Sequence, residues 1–192
     1  MGVTGGIGSG KTLVCNVFGR LGIPVYDADS RAKWLMDHRE SLKEKIAGLL
    51  GEGAYRAGKL DREYVARRVF SDGELLERLN RVVHPEVRDH YAEWVTKQAD
   101  APYVIEEAAI LFESGADRFM DMTVLVYAPE QLRLARVMER DGVEEKEVRQ
   151  RMSRQMSEEK KKELADAVIF NDEKAMLLPQ IITLHQRILN IK

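Results

Sequence analysis

The sequence predicts an α/β fold built on a five-stranded parallel sheet, and two observations support this prediction. Short apolar segments recur along the chain, each bounded by Gly, Pro, Asp or Asn. Between most of them lie stretches with apolar residues at helical spacing, such as Leu13, Val17 and Leu21. Alternating strands and helices favour a parallel sheet covered by helices on both faces, which makes three layers. The predicted strands are Gly2–Thr4, Ile23–Tyr26, Tyr103–Ile105, Met122–Tyr127 and Val168–Phe170.

Two long segments interrupt this alternation. The first runs from about Asp29 to Pro102, which is far longer than one crossover helix requires. Its apolar stripes predict helices over residues 31–37, 41–50, 61–70 and 72–83, with Ser41 and Asp61 as N-caps. A helical substrate-binding insertion is therefore expected there. The second segment, from Pro129 to about Ala165, carries many arginines in helix-forming sequence and is a candidate lid.

Composition narrows the classes of function. The chain has 192 residues, 44% of them hydrophobic, which is enough for one domain with a sizeable core. Its 30 basic and 32 acidic side chains leave a net charge of -2, so no nucleic-acid partner is expected. The single cysteine, Cys15, cannot form an internal disulfide, and no apolar run is long enough for a membrane span. We expect a cytoplasmic monomer or weak homo-oligomer without a membrane partner.

One octapeptide indicates the chemistry. Residues 5–12, Gly-Gly-Ile-Gly-Ser-Gly-Lys-Thr, match the phosphate-loop pattern G-x-x-x-x-G-K-[ST] at every fixed position, between an apolar strand and an amphipathic helix. The glycines let successive N–H groups face one concavity, Lys11 reaches the β- and γ-phosphates, and the Thr12 hydroxyl ligates Mg²⁺. A purely structural glycine-rich turn is the alternative. The residues predicted to bind ATP are Gly6, Ile7, Gly8, Ser9, Gly10, Lys11 and Thr12.

A pair of carboxylates follows the second predicted strand. Asp27 and Asp29 would lie at the carboxyl end of that strand, which faces the bound phosphates in a parallel sheet. Transfer of a phosphoryl group to an alcohol requires a group that accepts the hydroxyl proton. The alternative is that one Asp caps the following helix, and we expect one carboxylate for each use. No guanine-reading N-K-x-D occurs, which argues against a GTPase switch.

Several further motifs resemble the dephospho-CoA kinase family in order and spacing, over essentially the whole chain. They are residues 4–11 of the phosphate loop, 21–29 with Asp-Ala-Asp, His84-Pro85, Leu111-Phe112-Glu113-Ser114-Gly115, and 165–172 around Asn171. The resemblance implies ATP-dependent phosphorylation of the ribose 3′-hydroxyl of dephospho-CoA, the last step of coenzyme A biosynthesis. Another nucleoside or nucleotide kinase, or a non-catalytic nucleotide switch, remains the alternative.

The resemblance also implies a domain plan and site roles. One domain would have a core of residues 1–29, 98–139 and 163–192, a CoA-binding insertion of about 30–97 and a lid of about 140–162. Asp29 would be the catalytic base, assisted by Lys11 and Arg140. Arg154 and Asn171 would bind ATP. The acceptor-binding candidates are His84, Leu111, Phe112 and Glu113.

Glu107 departs from the family pattern, and one charged run has no predicted function. Glu107 stands where the family commonly has Asp, and a Glu there can still act on Mg²⁺ or its waters, so Glu107 joins Thr12 as a candidate metal ligand. The charged run of residues 158–163 is predicted to be a solvated helix face.

Overall fold

The chain folds into two units in the computed structural model, which describes residues 1–70 and 72–190. One unit comprises Met1–Asp27 and the described part of Gln98–Lys192, and the other comprises Ala28–Lys97. The strands are β1 (Gly2–Thr4), β2 (Val25–Asp27), β3 (Tyr55–Arg56), β4 (Lys59–Leu60), β5 (Ile105–Glu107), β6 (Thr123–Tyr127) and β7 (Ala167–Phe170). The helices are α1 (Lys11–Arg20), α2 (Ala28–His38), α3 (Glu40–Leu50), α4 (Arg62–Phe70), α5 (Gly73–Thr96), α6 (Glu130–Asp141), α7 (Glu145–Met152), α8 (Glu158–Leu164) and α9 (Leu177–Leu189).

A parallel sheet of five strands, in the order β2-β5-β1-β6-β7, forms the centre of the first unit. The predicted α/β class and parallel sheet are thereby confirmed. The strand β5 begins at Ile105, where the predicted strand ended, and continues through Glu106 and Glu107. Both glutamates are buried because Gly2 and Val3 of β1 pair with them. An apolar pattern cannot indicate a strand that ends in two carboxylates, so this boundary was predicted too early.

One face of the sheet packs against α1 and α9. Val3 pairs with Val124 and with Glu107 in parallel register, and paired residues point to the same face. Ile105 lies two residues before Glu107, so Val3, Val124 and Ile105 present one apolar surface. The buried cluster on this face draws Val14, Cys15 and Phe18 from α1, and Ile181 and Leu184 from α9. Because Glu107 lies two residues beyond Ile105, its side chain points to the same face, toward α1.

The second unit contains the four helices predicted for the insertion. The structure differs from the prediction at three points. Helix α3 begins at Glu40 after Arg39, so Ser41 lies inside it and is not the N-cap. Helix α5 continues through Pro85 to Thr96. A hairpin of β3 and β4, joined by Ala57 and Gly58 with φ of 50° and 78°, was not predicted.

The Asp61 prediction agrees with the structure, since its carboxylate accepts a hydrogen bond of 2.9 Å from the Tyr64 amide ahead of α4. In the described ranges, no helix is both long and apolar enough to cross a membrane. The predicted core extended to Lys192, and residues 191 and 192 lie outside the described part of the chain.

Candidate active site

The phosphate loop connects β1, the central strand, with α1. Its amides lie at the carboxyl end of the sheet, where α/β proteins bind phosphates. Gly8 and Gly10 have φ of 82° and 92°, a region that other residues rarely adopt. A Cβ on Gly8 would also lie only 2.5 Å from the carbonyl oxygen of Arg133. The glycine at position 8 is therefore required both by backbone conformation and by close packing.

Lys11 and Thr12 begin α1 and orient their polar atoms differently. The ammonium group of Lys11 donates a hydrogen bond of 2.9 Å to the carbonyl of Gly5, which folds the side chain back over the loop. The hydroxyl of Thr12 donates to Oε1 of Glu107 at 2.7 Å. These contacts place one ammonium group, one hydroxyl and one carboxylate around the start of α1.

Glu107 is a buried carboxylate at the carboxyl end of β5. Burial raises its pKa, an effect opposed by the hydrogen bond from Thr12 and by the charge of Lys11. Asp27, its register partner on β2, raises the pKa further. Burial and the neighbouring Glu107 also raise the pKa of Cys15, so this thiol stays protonated and inert.

The two aspartates of the predicted pair lie on different elements. Asp27 is the last residue of β2 and is exposed. Asp29 lies in the first turn of α2, where a carboxylate interacts favourably with the helix dipole. Asp29 belongs to the second unit, and its role as catalytic base stays a prediction.

Thr12 and Glu107 provide oxygen ligands of the kind that Mg²⁺ prefers. Within residues 1–70 and 72–190 no group of three or more His, Cys, Asp or Glu side chains is arranged to hold a metal. Mg²⁺ bound to a nucleotide needs only one or two protein ligands, because phosphates and waters complete its shell. The residues present therefore fit a nucleotide-borne Mg²⁺ ion better than a resident metal.

One side of the phosphate loop packs against a wall formed by Gln155 and Glu158, two side chains that the sequence did not indicate. Glu158 Oε1 accepts a hydrogen bond of 2.8 Å from the Gly6 amide, and Gln155 Oε1 accepts one of 2.9 Å from the Ile7 amide. Glu158 is 4% exposed and Lys161 is fully buried. The prediction that residues 158–163 form a solvated face is therefore wrong at these two positions, which lie one turn apart on the inner side of α8.

Comparison with known proteins identifies the family. The model of the dephospho-CoA kinase family matches residues 1–176. The chain belongs to the dephospho-CoA kinase family. This confirms the resemblance noted in the sequence.

Relatives and solved structures resemble this chain over nearly its full length. The dephospho-CoA kinase of Porphyromonas gingivalis is 41% identical over 186 residues, which cover 95% of this chain and 90% of that protein. A crystal structure from Thermus thermophilus has a TM-score of 0.84 at 38% identity and covers 100% of this chain and 96% of its own. The dephospho-CoA kinase from Campylobacter jejuni has a TM-score of 0.70 at 26% identity, covering 97% and 95%.

Asn171, the predicted ATP contact, lies just after β7 and touches the phosphate loop. Its Nδ2 donates a hydrogen bond of 2.8 Å to the carbonyl of Ser9. A Cβ on Gly10 would lie 2.2 Å from the same nitrogen. The Asn171 carbonyl accepts a hydrogen bond of 3.1 Å from Arg136, which fixes the segment. In this dephospho-CoA kinase family member, Asn171 thus contacts the loop backbone directly, and its contact with ATP stays a prediction.

The motif of residues 111–115 after β5, predicted to bind the acceptor, is held by α8 and the segment before it. Leu111 is fully buried, where its methyl groups pack against Gly2, and Phe112 is half-buried. The carboxylate of Glu113 accepts a hydrogen bond of 2.8 Å from the Met156 amide and pairs with Lys161 at 3.0 Å. Lys161 also donates to the carbonyl of Ala109 at 2.8 Å. The carboxylate of Glu113 is therefore engaged within the protein.

The remaining predicted site residues are Arg140, Arg154 and His84. Arg140, near the end of α6, forms two hydrogen bonds with Asp141, at 2.7 and 3.1 Å, and its side chain is largely exposed. Arg154 is exposed in the turn between α7 and α8. His84 lies on α5 in the second unit, where burial and the charge of Arg88 lower its pKa. Their roles in dephospho-CoA kinase chemistry stay predictions.

Proposed function

We propose that this chain transfers the γ-phosphoryl group of ATP to the ribose 3′-hydroxyl of dephospho-CoA. The observation that carries the proposal is the pairing of Thr12 with Glu107 beside Lys11, at the end of a complete phosphate loop. A hydroxyl, a carboxylate and an ammonium group converge there, which suits a nucleotide triphosphate. Membership of the dephospho-CoA kinase family supports ATP as donor and dephospho-CoA as acceptor.

In this proposal ATP binds at the predicted residues 6–12, and its phosphates lie on the amides from Gly10 to Thr12, because the Gly6 and Ile7 amides already donate to side chains of the protein. Lys11 leaves the carbonyl of Gly5 and binds the β- and γ-phosphates instead. Thr12 and Glu107 would hold Mg²⁺, directly or through water, and the ion would offset the charge of the phosphate oxygens. The buried position of Glu107 keeps its carboxylate fixed before the nucleotide arrives.

The chemical step is an in-line displacement. The ribose 3′-oxygen forms a bond to the γ-phosphorus while the bond from that phosphorus to the β,γ-bridging oxygen breaks, and ADP leaves. Asp29 accepts the proton of the 3′-hydroxyl. Arg140 and Arg154 of the lid stabilise charge on the transferring group, for which Arg140 exchanges its present partner Asp141 for phosphate oxygens. Exclusion of water by the lid suppresses hydrolysis of ATP.

Release of ADP from Mg²⁺·ATP, measured with different acceptors, tests the proposal. Dephospho-CoA is compared with adenosine, AMP, CMP and no acceptor, and the product is identified by mass. We expect release that depends on dephospho-CoA and a product heavier by one phosphoryl group. ADP release with another acceptor would identify that compound as the substrate. Release without any acceptor would identify the chain as a nucleotide switch.

A pair of lysine variants ties that activity to the phosphate loop. Lys11→Ala is expected to abolish most of the activity, because it removes the ammonium group that contacts the phosphates. Lys160→Ala on the exposed face of α8 is the matched control and should retain wild-type rates. Equal rates in both variants would contradict the assignment of the loop.

A further inference from the structure

The first two amides after Gly5 bind to side chains more than a hundred residues away. The Gly6 amide donates to Glu158 and the Ile7 amide donates to Gln155, at 2.8 and 2.9 Å. Gln155 precedes α8 and Glu158 is its first residue. One short segment thus satisfies two consecutive amides of the phosphate loop.

The packing around Gly6 indicates on which side of the loop this segment lies. A Cβ on Gly6 would be 2.3 Å from Nη1 of Arg133 and 2.9 Å from Oε1 of Glu158. Arg133 is itself buried and donates to the carbonyls of Ala128 and Ile7, at 3.1 and 3.4 Å. Glu158 therefore belongs to a closely packed protein wall against the loop.

The negative charge of Glu158 does not help to bind a triphosphate. The presence of this side chain is better explained by its position as a hydrogen-bond acceptor for the loop. A carboxylate near the nucleotide repels the phosphates unless it is compensated. Burial raises the pKa of Glu158, and the charges of Arg133, Lys161 and Lys11 oppose that shift. Oε2 accepts no hydrogen bond from any residue in the described ranges, so only Oε1 serves the loop. The oxygen acceptor matters here rather than the negative charge.

A loop with four glycines in six residues is flexible, because glycine has more backbone freedom to lose than any other residue. Amides bind an anion tightly only when they are fixed beforehand, since ordering them on binding reduces affinity. The hydrogen bonds that the Gly6 and Ile7 amides donate to Glu158 and Gln155 fix the start of the loop. The backbone amides from Gly10 to Thr12 then face the phosphates from a defined position.

We propose that Glu158 and Gln155 are positioning residues that hold the phosphate loop in its nucleotide-binding conformation. The inference rests on the proposed nucleotide site but not on the identity of the acceptor. It predicts that losing either acceptor weakens nucleotide binding. If the carboxylate instead occupied an amide needed by a phosphate, its removal would strengthen binding, so the sign of the effect separates the two.

The test is the dissociation constant of Mg²⁺·ADP, measured by calorimetry on the full chain without acceptor. Glu158→Ala and Gln155→Ala should each raise it about tenfold, the factor expected for one lost hydrogen bond. Glu158→Gln keeps an oxygen acceptor without the charge and should remain within about twofold of wild type. Glu159→Ala and Gln150→Ala, at exposed neighbouring positions, are the matched controls and should not change.

Tighter or unchanged binding in Glu158→Ala or Gln155→Ala would overturn the proposal. A folding defect is recognised by thermal unfolding, and if Glu158→Ala fails to fold, Gln155→Ala and Glu158→Gln decide. In steady-state assays, the KM for ATP should rise in the two alanine variants while the KM for dephospho-CoA does not, a split that general destabilisation would not give. If wild type shows no activity with dephospho-CoA but ADP binding follows this pattern, only the proposed function fails.

Discussion

The hydroxyl of Thr12 donates a 2.7 Å hydrogen bond to Oε1 of Glu107 and so joins the first turn of α1 to the end of β5. In a parallel sheet these two points lie at the same edge, because both follow the carboxyl ends of neighbouring strands. The contact brings a candidate metal ligand from the phosphate loop next to one from the sheet. It also encloses a carboxylate whose pKa burial has raised.

Glu107→Gln is expected to reduce kcat/KM with Mg²⁺·ATP at least about tenfold, because an amide is a weaker ligand than a carboxylate for Mg²⁺ or its waters.

The same variant should be more stable than wild type at neutral pH. The pKa of Glu107 is raised from the ordinary value of 4.5, so its stabilising contribution is present below pH 4.5 and is lost as pH rises through the raised pKa. Gln stays neutral throughout.

Thermal unfolding from pH 4 to pH 8, without nucleotide or metal, measures this effect. The gain in Tm of Glu107→Gln over wild type should be largest at neutral pH and shrink toward pH 4.5. Glu159→Gln, on the exposed face of α8, is the control and should show no such pH dependence. A stability loss at neutral pH would show that the carboxylate is stabilised more by Thr12 than it is penalised by burial.

Asp29→Asn is expected to lower kcat at least about 100-fold, the contribution typical of a general base, while leaving the dissociation constant of Mg²⁺·ADP unchanged. Asp27→Asn is the matched variant at the end of β2, and we expect it to lose less. Rapid quench of a single turnover measures the chemical step in both. A larger loss in Asp27→Asn would transfer the role of base to Asp27.

The sequence predicted the sheet and the phosphate loop because both are encoded locally. Apolar segments near Val3 and Val124 mark strands, and the glycines at 8 and 10 mark a loop with positive φ. Each signal lies within a few neighbouring residues. The position after a predicted strand indicated the pair Asp27 and Asp29, and the family resemblance then assigned predicted roles to Asp29, Arg140 and Arg154. The spacing of these residues along the chain does not indicate those roles by itself.

The wall behind the loop could not be predicted in this way. Glu158 and Lys161 lie in a strongly charged run, where the expected structure is an exposed helix. They are buried because each contacts a partner distant in sequence: Glu158 accepts from the Gly6 amide, and Lys161 pairs with Glu113. The spacing of three residues, which places both on one helix face, was the available signal. Only the tertiary contacts distinguish these two residues from their solvated neighbours.

The ion pair of Glu113 and Lys161 predicts a stability effect that separates structure from substrate binding. Lys161 is fully buried, so Glu113→Ala leaves a buried ammonium group without its ion-pair partner and should lower the free energy of unfolding by about 3 kcal/mol. The double variant Glu113→Ala/Lys161→Met should recover part of this loss, since it removes the stranded charge. Urea denaturation measures both effects.

Glu159→Ala serves as the control, because that side chain is exposed on the same helix. If Glu113→Ala instead unfolds like wild type but has a raised KM for dephospho-CoA, the predicted substrate contact is the main role of Glu113. A larger loss in the double variant than in Glu113→Ala would mean that Lys161 stabilises the fold chiefly through the carbonyl of Ala109.

Gly8→Ala is expected to raise the dissociation constant of Mg²⁺·ADP at least about tenfold, from strain of about 1–2 kcal/mol in the left-handed region plus crowding. Its φ is 82°, and a Cβ would lie 2.5 Å from the backbone oxygen of Arg133, which cannot move without shifting α6. Gly142→Ala is the control, with φ of 65° and open space around the added carbon. It should lose about 1 kcal/mol of stability but keep nucleotide affinity. Calorimetry and urea denaturation of both variants separate the two effects, and unchanged ADP affinity in Gly8→Ala would mean that the loop tolerates displacement from α6.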